Sequence, residues 1–437
     1  MPTAHHHDVP PRTHEVCALL PRLQPWQHQC LFTPGMSIFR YHVPMPRYRL
    51  VPTTAQALLL RNHCAHARFV WNLAVEQQSW WRPGRASAPG WAEQCRQLSA
   101  ARHEHGWLAA GSVVVQQQAL RDFAQAMVGF FAGTHRKPTW RKVGRDEGFR
   151  IVALRADHVR RLNRHWGQVF VPKAGWVRFR WSRAVPEARS YRVKLDSAGR
   201  WHIAFAAVPD PIVGPGTGQE VGVDWGVAVS AALSTGELLT CPHLSIGRQG
   251  RLRRLQRKLA RAERGSNRRA RLKSAIARLR AREADARKDW AEKLSTDLAR
   301  RFDVIRVEDL RVQHMTRSAR GTSEKPGRNV RQKAGLNREI LASGWGILAR
   351  RLEEKAPGRV EKIDPAYTSQ RCSACRHVNP KSRESQADFR CTACGFMLHA
   401  DTNAARNIAA GHAVTTRQGL RLGRPVNREP QLALLHV

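Results

Sequence analysis

The stretch VGVDWGVAVSAALSTGE (residues 221–237) has the pattern of a buried strand that ends on a carboxylate and is followed by a second strand. Val221, Gly222 and Val223 lead into Asp224, and a turn and a second apolar run come next. A buried carboxylate without a partner costs free energy. We therefore expect a cation beside Asp224 and predict a functional site at this end of the strand.

The charge of the chain is far from balanced. Its 437 residues include 74 Lys and Arg against 34 Asp and Glu, a formal net charge of +40. A GC-rich genome would explain why Arg outnumbers Lys, but not an excess of this size. Guanidinium groups bind phosphate in a bidentate way, and a positive surplus is stabilised beside a polyanion. The composition predicts a nucleic-acid partner, and the length allows about two to four domains.

Targeting signals and cysteine usage favour the cytoplasm. The sequence has no apolar run of about 18 residues and no apolar core of a signal peptide, so we expect no membrane partner. Nine cysteines are an odd number, and four of them form two CxxC pairs. This pattern predicts a reducing compartment and a bound metal, not a disulfide framework.

Hydrophobic periodicity predicts three clear helices. Apolar residues recur at helical spacing from Thr54 onward, over 112–133 and over 336–356. Thr53 or Thr54 would cap the first helix, and Gly133 would end the second.

Alternating short runs predict a β-domain on both sides of the first helices. Residues 151–208 have the pattern of several antiparallel strands, barrel-like or sandwich-like, and residues 36–53 have the pattern of one earlier strand. The helices between them would then be an insertion. The Pro/Gly-rich segment 209–218 is predicted to be a domain boundary.

Three basic segments are candidates for contact with a phosphate backbone. Residues 134–150 carry Trp140 and Phe149 among cations, which fits either a base-stacking loop or a linker anchored by two aromatics. Residues 248–282 hold fifteen Lys or Arg and one acid, with apolar seams on both sides of a Gly-Ser-Asn break. We predict a basic helical hairpin there. Residues 311–335 are polar and basic, and we expect a mobile loop.

The strongest single motif is the pair CSAC and CTAC, with fifteen residues between the two sequences. This spacing is typical of a closed, structural zinc site. An iron–sulfur cluster is the alternative, although paired knuckles favour zinc. The predicted zinc ligands are Cys372, Cys375, Cys391 and Cys394. The other cysteines are predicted to be ordinary side chains, namely Cys17, Cys30, Cys64, Cys95 and Cys241.

Three acids lie where an α/β fold places its chemistry. Asp224 and Glu308 end predicted strands, and Asp401 opens the helix ADTNAARNIAAG. Three carboxylates together could bind two Mg²⁺ or Mn²⁺ ions about 4 Å apart, which would clamp the attacking and leaving oxygens of a phosphodiester. Simpler alternatives remain. Asp401 could be a helix N-cap, and Asp309 could take the place of Glu308.

These motifs resemble those of TnpB, a family of transposon-encoded, RNA-guided nucleases ancestral to the type V CRISPR effectors. The resemblance lies in residues 221–237, in VIRVEDL (304–310) and in the block from Asp364 through both CxxC pairs to residue 408. It spans roughly residues 45–412. One departure is Arg376, because the family commonly has Gly after the first CxxC.

The resemblance implies a multidomain α/β fold. An RNase H-like RuvC nuclease domain would carry an inserted four-Cys zinc ribbon, and an OB-like β-barrel (wedge) domain would be interrupted by a helical recognition lobe. Asp224, Glu308 and Asp401 match the nuclease acids of the family, and the four paired cysteines match its zinc ligands. The expected bounds are 1–35 for a disordered or non-native extension, 36–53 and 151–210 for the wedge, 54–150 for the recognition lobe, 219–365 and 397–412 for the nuclease domain, 366–396 for the ribbon and 413–437 for a tail.

The implied function is that of an RNA-guided DNA endonuclease. A guide RNA would pair with double-stranded target DNA next to a short flanking motif, and the Mg²⁺ site would cut the DNA. The expected setting is the bacterial cytoplasm, at the nucleoid when active, and the simplest expectation for the assembly is a monomer. Two alternatives are a compact type V CRISPR effector and a nuclease-silent, RNA-guided DNA-binding regulator.

Overall fold

The computed structural model describes residues 47–82, 84 and 87–411. The predicted N-terminal extension and the start of the predicted first strand fall in residues 1–46, outside this part of the chain. The predicted C-terminal tail at 413–437 also lies outside it.

The described chain divides into two compact units. The first unit ends at Pro209 and the second begins at Asp210, within the Pro/Gly-rich segment. A short part of one long helix, Lys273–Arg278, is grouped with the first unit. Among the described residues, no helix combines the length and the apolar character that crossing a bilayer requires.

The first unit combines a seven-stranded antiparallel sheet with α-helices packed on it. In chain order its elements are β1 (Arg47–Val51), α1 (Thr54–Ser79), α2 (Trp91–Glu104), α3 (Gly106–Ala110), α4 (Val113–Phe131), β2 (Gly148–Val152), β3 (Val159–Arg161), β4 (Trp166–Val171), β5 (Gly175–Arg180), β6 (Ser190–Leu195) and β7 (Trp201–Phe205). The strand order is β2-β6-β7-β1-β5-β4-β3. Strand β1 thus lies in the middle of the sheet, between β7 and β5, while helices α1 to α4 separate it in sequence from the other strands. The predicted insertion of helices after an early strand is present.

Local signals set the ends of the two long helices, as predicted. Thr53 is the N-cap of α1, where its hydroxyl accepts from the Gln56 amide and the Gln56 side chain bonds back to the Thr53 nitrogen. This reciprocal pair satisfies two amide groups that a helix start otherwise leaves unbonded. After α4, Gly133 takes a φ of 69°, a left-handed conformation that ends helices and suits glycine.

The two aromatic residues of the basic segment 134–150 differ in their exposure to solvent. Phe149 lies on β2 with its side chain in the core, 3% exposed, which fits the anchoring alternative for this residue and not base stacking. The alternation of β2 is the reason, because Phe149 and Ile151 both point inward. Trp140 remains 39% exposed.

The second unit is built on a five-stranded mixed sheet and a separate two-stranded one. Its elements are β8 (Glu220–Asp224), β9 (Ala231–Leu233), β10 (Leu238–Leu239), α5 (Ile246–Arg261), α6 (Asn267–Arg301), β11 (Val304–Glu308), α7 (Val312–Met315), α8 (Val330–Ser343), α9 (Trp345–Lys355), β12 (Val360–Ile363), β13 (Asp388–Arg390), β14 (Met397–His399) and α10 (Ala400–Ala409). The larger sheet has the order β10-β9-β8-β11-β12. Strands β8, β11 and β12 are parallel, and β9 and β10 complete an antiparallel edge.

The break predicted between two basic helices is present, whereas the helix predicted at 336–356 has different bounds. Helices α5 and α6 are separated at the predicted Gly-Ser-Asn break, and the leucines of α5 are only half-buried. The helix predicted at 336–356 instead begins at Val330 and is interrupted at Gly344. Gly344 has a φ of 83°, which a helix cannot include, so the segment forms α8 and α9. The predicted loop at 311–335 is shortened accordingly, and α7 also lies within it.

Candidate functional site: three carboxylates and a four-cysteine ribbon

Asp224 and Glu308 occupy equivalent places on neighbouring parallel strands. Val223 of β8 pairs with Val307 of β11, so the next residues, Asp224 and Glu308, end the two strands at the same level. Adjacent strands lie about 4.8 Å apart, and residues in register point to the same face. Asp224 is 8% exposed and Glu308 is half-buried.

Helix α10 brings the third acid to this place by lying directly on β8. A Cβ at Gly222 would overlap the Ala405 carbonyl oxygen and would come within 2.9 Å of the Ala409 Cα. Backbone therefore packs on backbone here, which only glycine allows. Gly222 and Asp224 share a face of β8 because strand side chains alternate. Asp401 is one helical turn before Ala405, on the same side of α10.

The position of a second glycine shows at which end of β8 the helix α10 begins. A Cβ at Gly226, two residues beyond Asp224, would lie 3.8 Å from Asp401 Oδ2. The start of α10 is thus at the carboxyl end of β8, and Asp401 is 6% exposed there. Three acids from distant parts of the sequence share one face and one end of the sheet.

Two alternatives from the sequence are resolved by these positions. The N-cap of α10 is His399, whose ring accepts from the Asp401 amide at 3.3 Å, so Asp401 is not the cap. Asp309 is exposed and lies beyond the end of β11, whereas Glu308 is level with Asp224. The geometry favours Glu308 over Asp309 as the second acid.

Two of the acids accept hydrogen bonds from residues around the cysteine pairs. Thr368 Oγ1 donates to Glu308 Oε1 at 2.9 Å, and Arg383 Nη2 donates to Asp401 Oδ1 at 3.0 Å. The sequence predicted a cation beside Asp224. The structure shows the Arg383 guanidinium on a different acid of the same group, Asp401.

The three carboxylates are more widely spaced than the ligands of a single compact ion site. Among the described residues, only the four paired cysteines form a set of three or more His, Cys, Asp or Glu whose ligand atoms all lie within 4.8 Å of one another. A pair of divalent ions about 4 Å apart needs a wider arrangement than one ion. Oxygen ligands are those that Mg²⁺ prefers, so the donor chemistry of the acids fits that ion.

The four paired cysteines have the dimensions of a zinc site. The Sγ atoms of Cys372 and Cys394 are 3.8 Å apart, and those of Cys375 and Cys391 are 3.5 Å apart. Tetrahedral coordination with Zn–S bonds of about 2.3 Å requires sulfur–sulfur distances near 3.8 Å. Cys64, Cys95 and Cys241 do not belong to this cluster, and Cys17 and Cys30 lie outside the described residues.

The two CxxC turns are equivalent in their backbone hydrogen bonds. The amide of Arg376 donates to the Cys372 carbonyl at 2.9 Å, and the amide of Gly395 donates to the Cys391 carbonyl at 3.0 Å. Both donors are left-handed, with φ of 64° at Arg376 and 71° at Gly395. The turn therefore forms at Arg376 without the glycine, at the cost that this conformation imposes on a residue with a Cβ.

The thiols differ in acidity because of where their hydrogen bonds come from. Burial raises the pKa of Cys391, but amide and thiol donors outweigh it and lower the pKa to about 7. At Cys375 an amide hydrogen bond from His377 favours the thiolate, yet burial and bonds to the other thiols raise the pKa to about 12. A metal must displace the remaining protons, so metal affinity should rise with pH.

Sequence analysis missed the polar residues that support the site, namely Thr368, Arg383, Asn403 and Asn407. One signal was available for the two asparagines. They are four residues apart in an alanine-rich helix, which places both on one face.

Exchanging the residue after each CxxC should change zinc affinity in opposite directions. We expect Arg376→Gly to tighten zinc binding a few-fold, since glycine removes about 1 kcal/mol of left-handed strain but adds entropy to the unfolded chain. Gly395→Ala should weaken binding by a similar factor, and a Cβ there meets nothing within 4 Å, so only the backbone is tested. Competition with a chromophoric chelator measures both. Equal zinc affinity in the two variants would contradict this account.

The close approach at Gly222 should make that position intolerant of any side chain. We expect Gly222→Ala to destabilise the protein by about 3 kcal/mol, because α10 or β8 must shift to admit the methyl group. Gly247→Ala is the matched control, since a Cβ at Gly247 on α5 meets nothing within 4 Å and alanine favours helix. Urea unfolding followed by circular dichroism compares them. A midpoint for Gly222→Ala as high as that of the control would contradict the close contact.

Comparisons with known proteins match nearly the whole described chain. Family models match at 46–85 (a helix-turn-helix domain), 203–319 (probable transposase, OrfB_IS605) and 345–408 (Cas12f1-like, TNB domain). The chain is 36% identical to the putative RNA-guided DNA endonuclease InsQ of Escherichia coli K12, covering 88% of this chain and 96% of the relative. It is 31% identical to a putative RNA-guided DNA endonuclease of Streptomyces pristinaespiralis, covering 89% and 96%.

A solved structure of a Cas12f1–sgRNA–target DNA complex is a more remote match. It shares 14% identity over 82% of this chain and 83% of that one, with a TM-score of 0.49. The two relatives are decisive, because each is more than 30% identical to this chain over most of its length. The resemblance seen in the sequence motifs is confirmed, and the chain belongs to the TnpB (OrfB) family.

Proposed function

We propose that this chain is an RNA-guided DNA endonuclease encoded by a transposon. A guide RNA would select double-stranded DNA beside a short flanking motif, and a RuvC-type site would cut it. The observation that carries the proposal is the meeting of three carboxylates, from distant parts of the chain, on one face and at one end of the β8–β11 sheet. The two relatives both carry the name putative RNA-guided DNA endonuclease, and these names support the same activity.

The topology of the second unit supports an RNase H-like reading of its fold. Three parallel strands with an antiparallel edge carry a helix on the face where the acids lie, and the cysteine ribbon precedes the last acid in sequence. We propose that this unit is the RuvC-like domain with an inserted zinc ribbon. The sheet of the first unit, with its helical insertion after β1, would be the OB-like wedge and its recognition lobe.

The acids and the cysteines would hold different metals for different purposes. Asp224, Glu308 and Asp401 would hold Mg²⁺, whose charge stabilises the negative charge that develops on phosphate oxygens during cleavage. The four thiolates would hold Zn²⁺ in a closed set, which suits a structural role. The chain prepares the Mg²⁺ site by burying Asp224 and Asp401 and by placing the Arg383 guanidinium where it offsets part of the acidic charge.

The first unit offers a surface suited to the phosphates of the RNA. On the outer side of β3, β4 and β5, Arg178 and Arg180 lie over the Trp166 ring at 4.5 and 4.0 Å, and Arg160 lies over Trp176 at 4.1 Å. We call these five residues the arginine–tryptophan face. The three arginines are exposed, and none of them has a carboxylate partner among the described residues. Stacking on tryptophan restrains each guanidinium, so less entropy is lost when it binds phosphate.

Removing one nuclease acid should separate cutting from binding. We expect Asp224→Ala to lower the rate of DNA cleavage by about a thousandfold or more, because loss of bound metal removes several kcal/mol of transition-state stabilisation. Guide-RNA affinity should stay unchanged, since a carboxylate does not attract phosphate. Cleavage by the purified protein–RNA complex in Mg²⁺ and a filter-binding titration measure the two.

Asp309→Ala is the matched control, an exposed acid next to Glu308 that should cut at the wild-type rate. Undiminished cleavage by Asp224→Ala would refute the proposed site. A wild-type protein that binds its target but never cuts would favour the nuclease-silent regulator.

The arginine–tryptophan face should contribute to RNA affinity through charge. We expect the double change Arg178→Gln and Arg180→Gln to weaken RNA binding and to reduce the slope of log affinity against log salt by about 2, one unit for each phosphate contact. Arg155→Gln is the control, because Arg155 already pairs with Asp157 in the same unit. An unchanged salt slope in the double variant would exclude this face from the RNA contact.

A further inference from the structure

The cysteine ribbon reaches the proposed nuclease site through two side chains. Thr368 precedes the first cysteine pair and donates to Glu308, while Arg383 lies between the two pairs and donates to Asp401. Each of these contacts joins residues far apart in the sequence. The hydroxyl of Thr368 is nearly inaccessible, since the residue is 3% exposed.

The segment that leads into the ribbon is fastened to α10 by two buried asparagines. Asn407 Nδ2 donates to the Thr368 carbonyl at 2.9 Å and to the Arg371 carbonyl at 2.7 Å. Asn403 Nδ2 also donates to the Arg371 carbonyl, at 2.7 Å, and its Oδ1 accepts from the Ser373 amide at 2.9 Å. The backbone from 368 to 373 therefore moves with α10, the helix that carries Asp401.

The zinc ligand Cys372 lies inside this fastened segment. Asn403 holds the backbone on both sides of it, at the Arg371 carbonyl and the Ser373 amide. The three residues between Thr368 and Cys372 link the hydroxyl that binds Glu308 to the metal cluster. A metal that fixes the four sulfurs would fix the position of Thr368 as well.

The hydrogen bond from Arg383 orients the carboxylate of Asp401. Arg383 binds Oδ1, whereas Oδ2 faces Gly226 and hence the end of β8. One oxygen is thus occupied by the ribbon, and the other is turned toward the neighbouring strand. Supporting hydrogen bonds of this kind commonly orient the ligands of metal sites.

We propose that Thr368 and Arg383 are positioning residues for Glu308 and Asp401, so that the folded, zinc-bound ribbon sets the geometry of the divalent-metal site. This inference rests on the proposed function, because it takes the three acids as metal ligands. It gives the ribbon a role beyond its own stability. Loss of either contact removes one restraint on the orientation of a carboxylate, and the site then binds its metal less tightly.

The test measures metal binding and not cleavage. Mn²⁺ alone is titrated into the full chain, and bound and free ion are separated by electron paramagnetic resonance. We expect Thr368→Val, which keeps the shape but loses the hydroxyl, to weaken Mn²⁺ binding about tenfold. Thr368→Ser should restore the affinity because the hydroxyl returns. Arg383→Lys, which keeps the charge without the guanidinium, should weaken binding in the same direction.

Two controls separate this role from damage to the ribbon. Thr392→Val removes a ribbon hydroxyl that contacts Ser382 and, within the described part of the chain, no acid, and it should leave Mn²⁺ affinity unchanged. Zinc content, measured by inductively coupled plasma mass spectrometry, should stay at the wild-type level in Thr368→Val and Arg383→Lys.

The outcomes distinguish this inference from the proposed function. If Asp224→Ala weakens Mn²⁺ binding while Thr368→Val and Arg383→Lys keep both zinc and wild-type Mn²⁺ affinity, the positioning role is overturned and the nuclease site stands. If Asp224→Ala itself leaves Mn²⁺ affinity unchanged, the proposed metal site fails, and the inference fails with it. Tenfold weakening in Thr368→Val with rescue by serine supports both.

Discussion

The close contact of α10 with β8 is the constraint on which the second unit depends. At Gly222 the helix backbone lies against the strand backbone, with no side chain to hold the two apart. The start of α10 therefore reaches the level at which β8 and β11 end. Parallel pairing places Asp224 beside Glu308, and the depth of the helix adds Asp401 to them. Because Gly222 has no side chain, α10 can lie close enough to β8 to bring Asp401 to the end of the strands where Asp224 and Glu308 lie.

Acidic and basic side chains are used differently in this fold. Acids are the minority of the charged residues in this chain, and many of them form ion pairs within the fold. Arg306 of β11 binds Glu220 of β8 and Glu361 of β12, and so joins three parallel strands through one guanidinium. The surplus cations lie elsewhere, on α5, on α6 and on the arginine–tryptophan face. Such a chain repels itself when alone, and a bound polyanion would relieve that repulsion.

Local sequence signals predicted most of the helices and their ends, but they missed the interruption at Gly344. The cap at Thr53 and the glycine after α4 are decided by neighbouring residues, so both could be recognised in the sequence. The helix break at Gly344 could not be recognised in the sequence, because an isolated glycine in an apolar helical pattern is usually tolerated. The sequence leaves the role of Phe149 open for a related reason. Its basic neighbours fit a nucleic-acid contact as well as an anchor, because burial depends on which face of β2 meets the core.

The sequence by itself determined the four cysteines of the ribbon, since the spacing within and between two CxxC pairs is specific to a metal site and each pair forms its own local turn. It also determined the family and the three candidate acids. Only the tertiary structure decided that Glu308 and not Asp309 is level with Asp224, that Arg383 is the cation on Asp401, and that Thr368 bonds to Glu308. These relations join residues 18 to 84 positions apart along the printed chain. No local pattern encodes them, because they depend on how α10, the ribbon and the parallel strands pack.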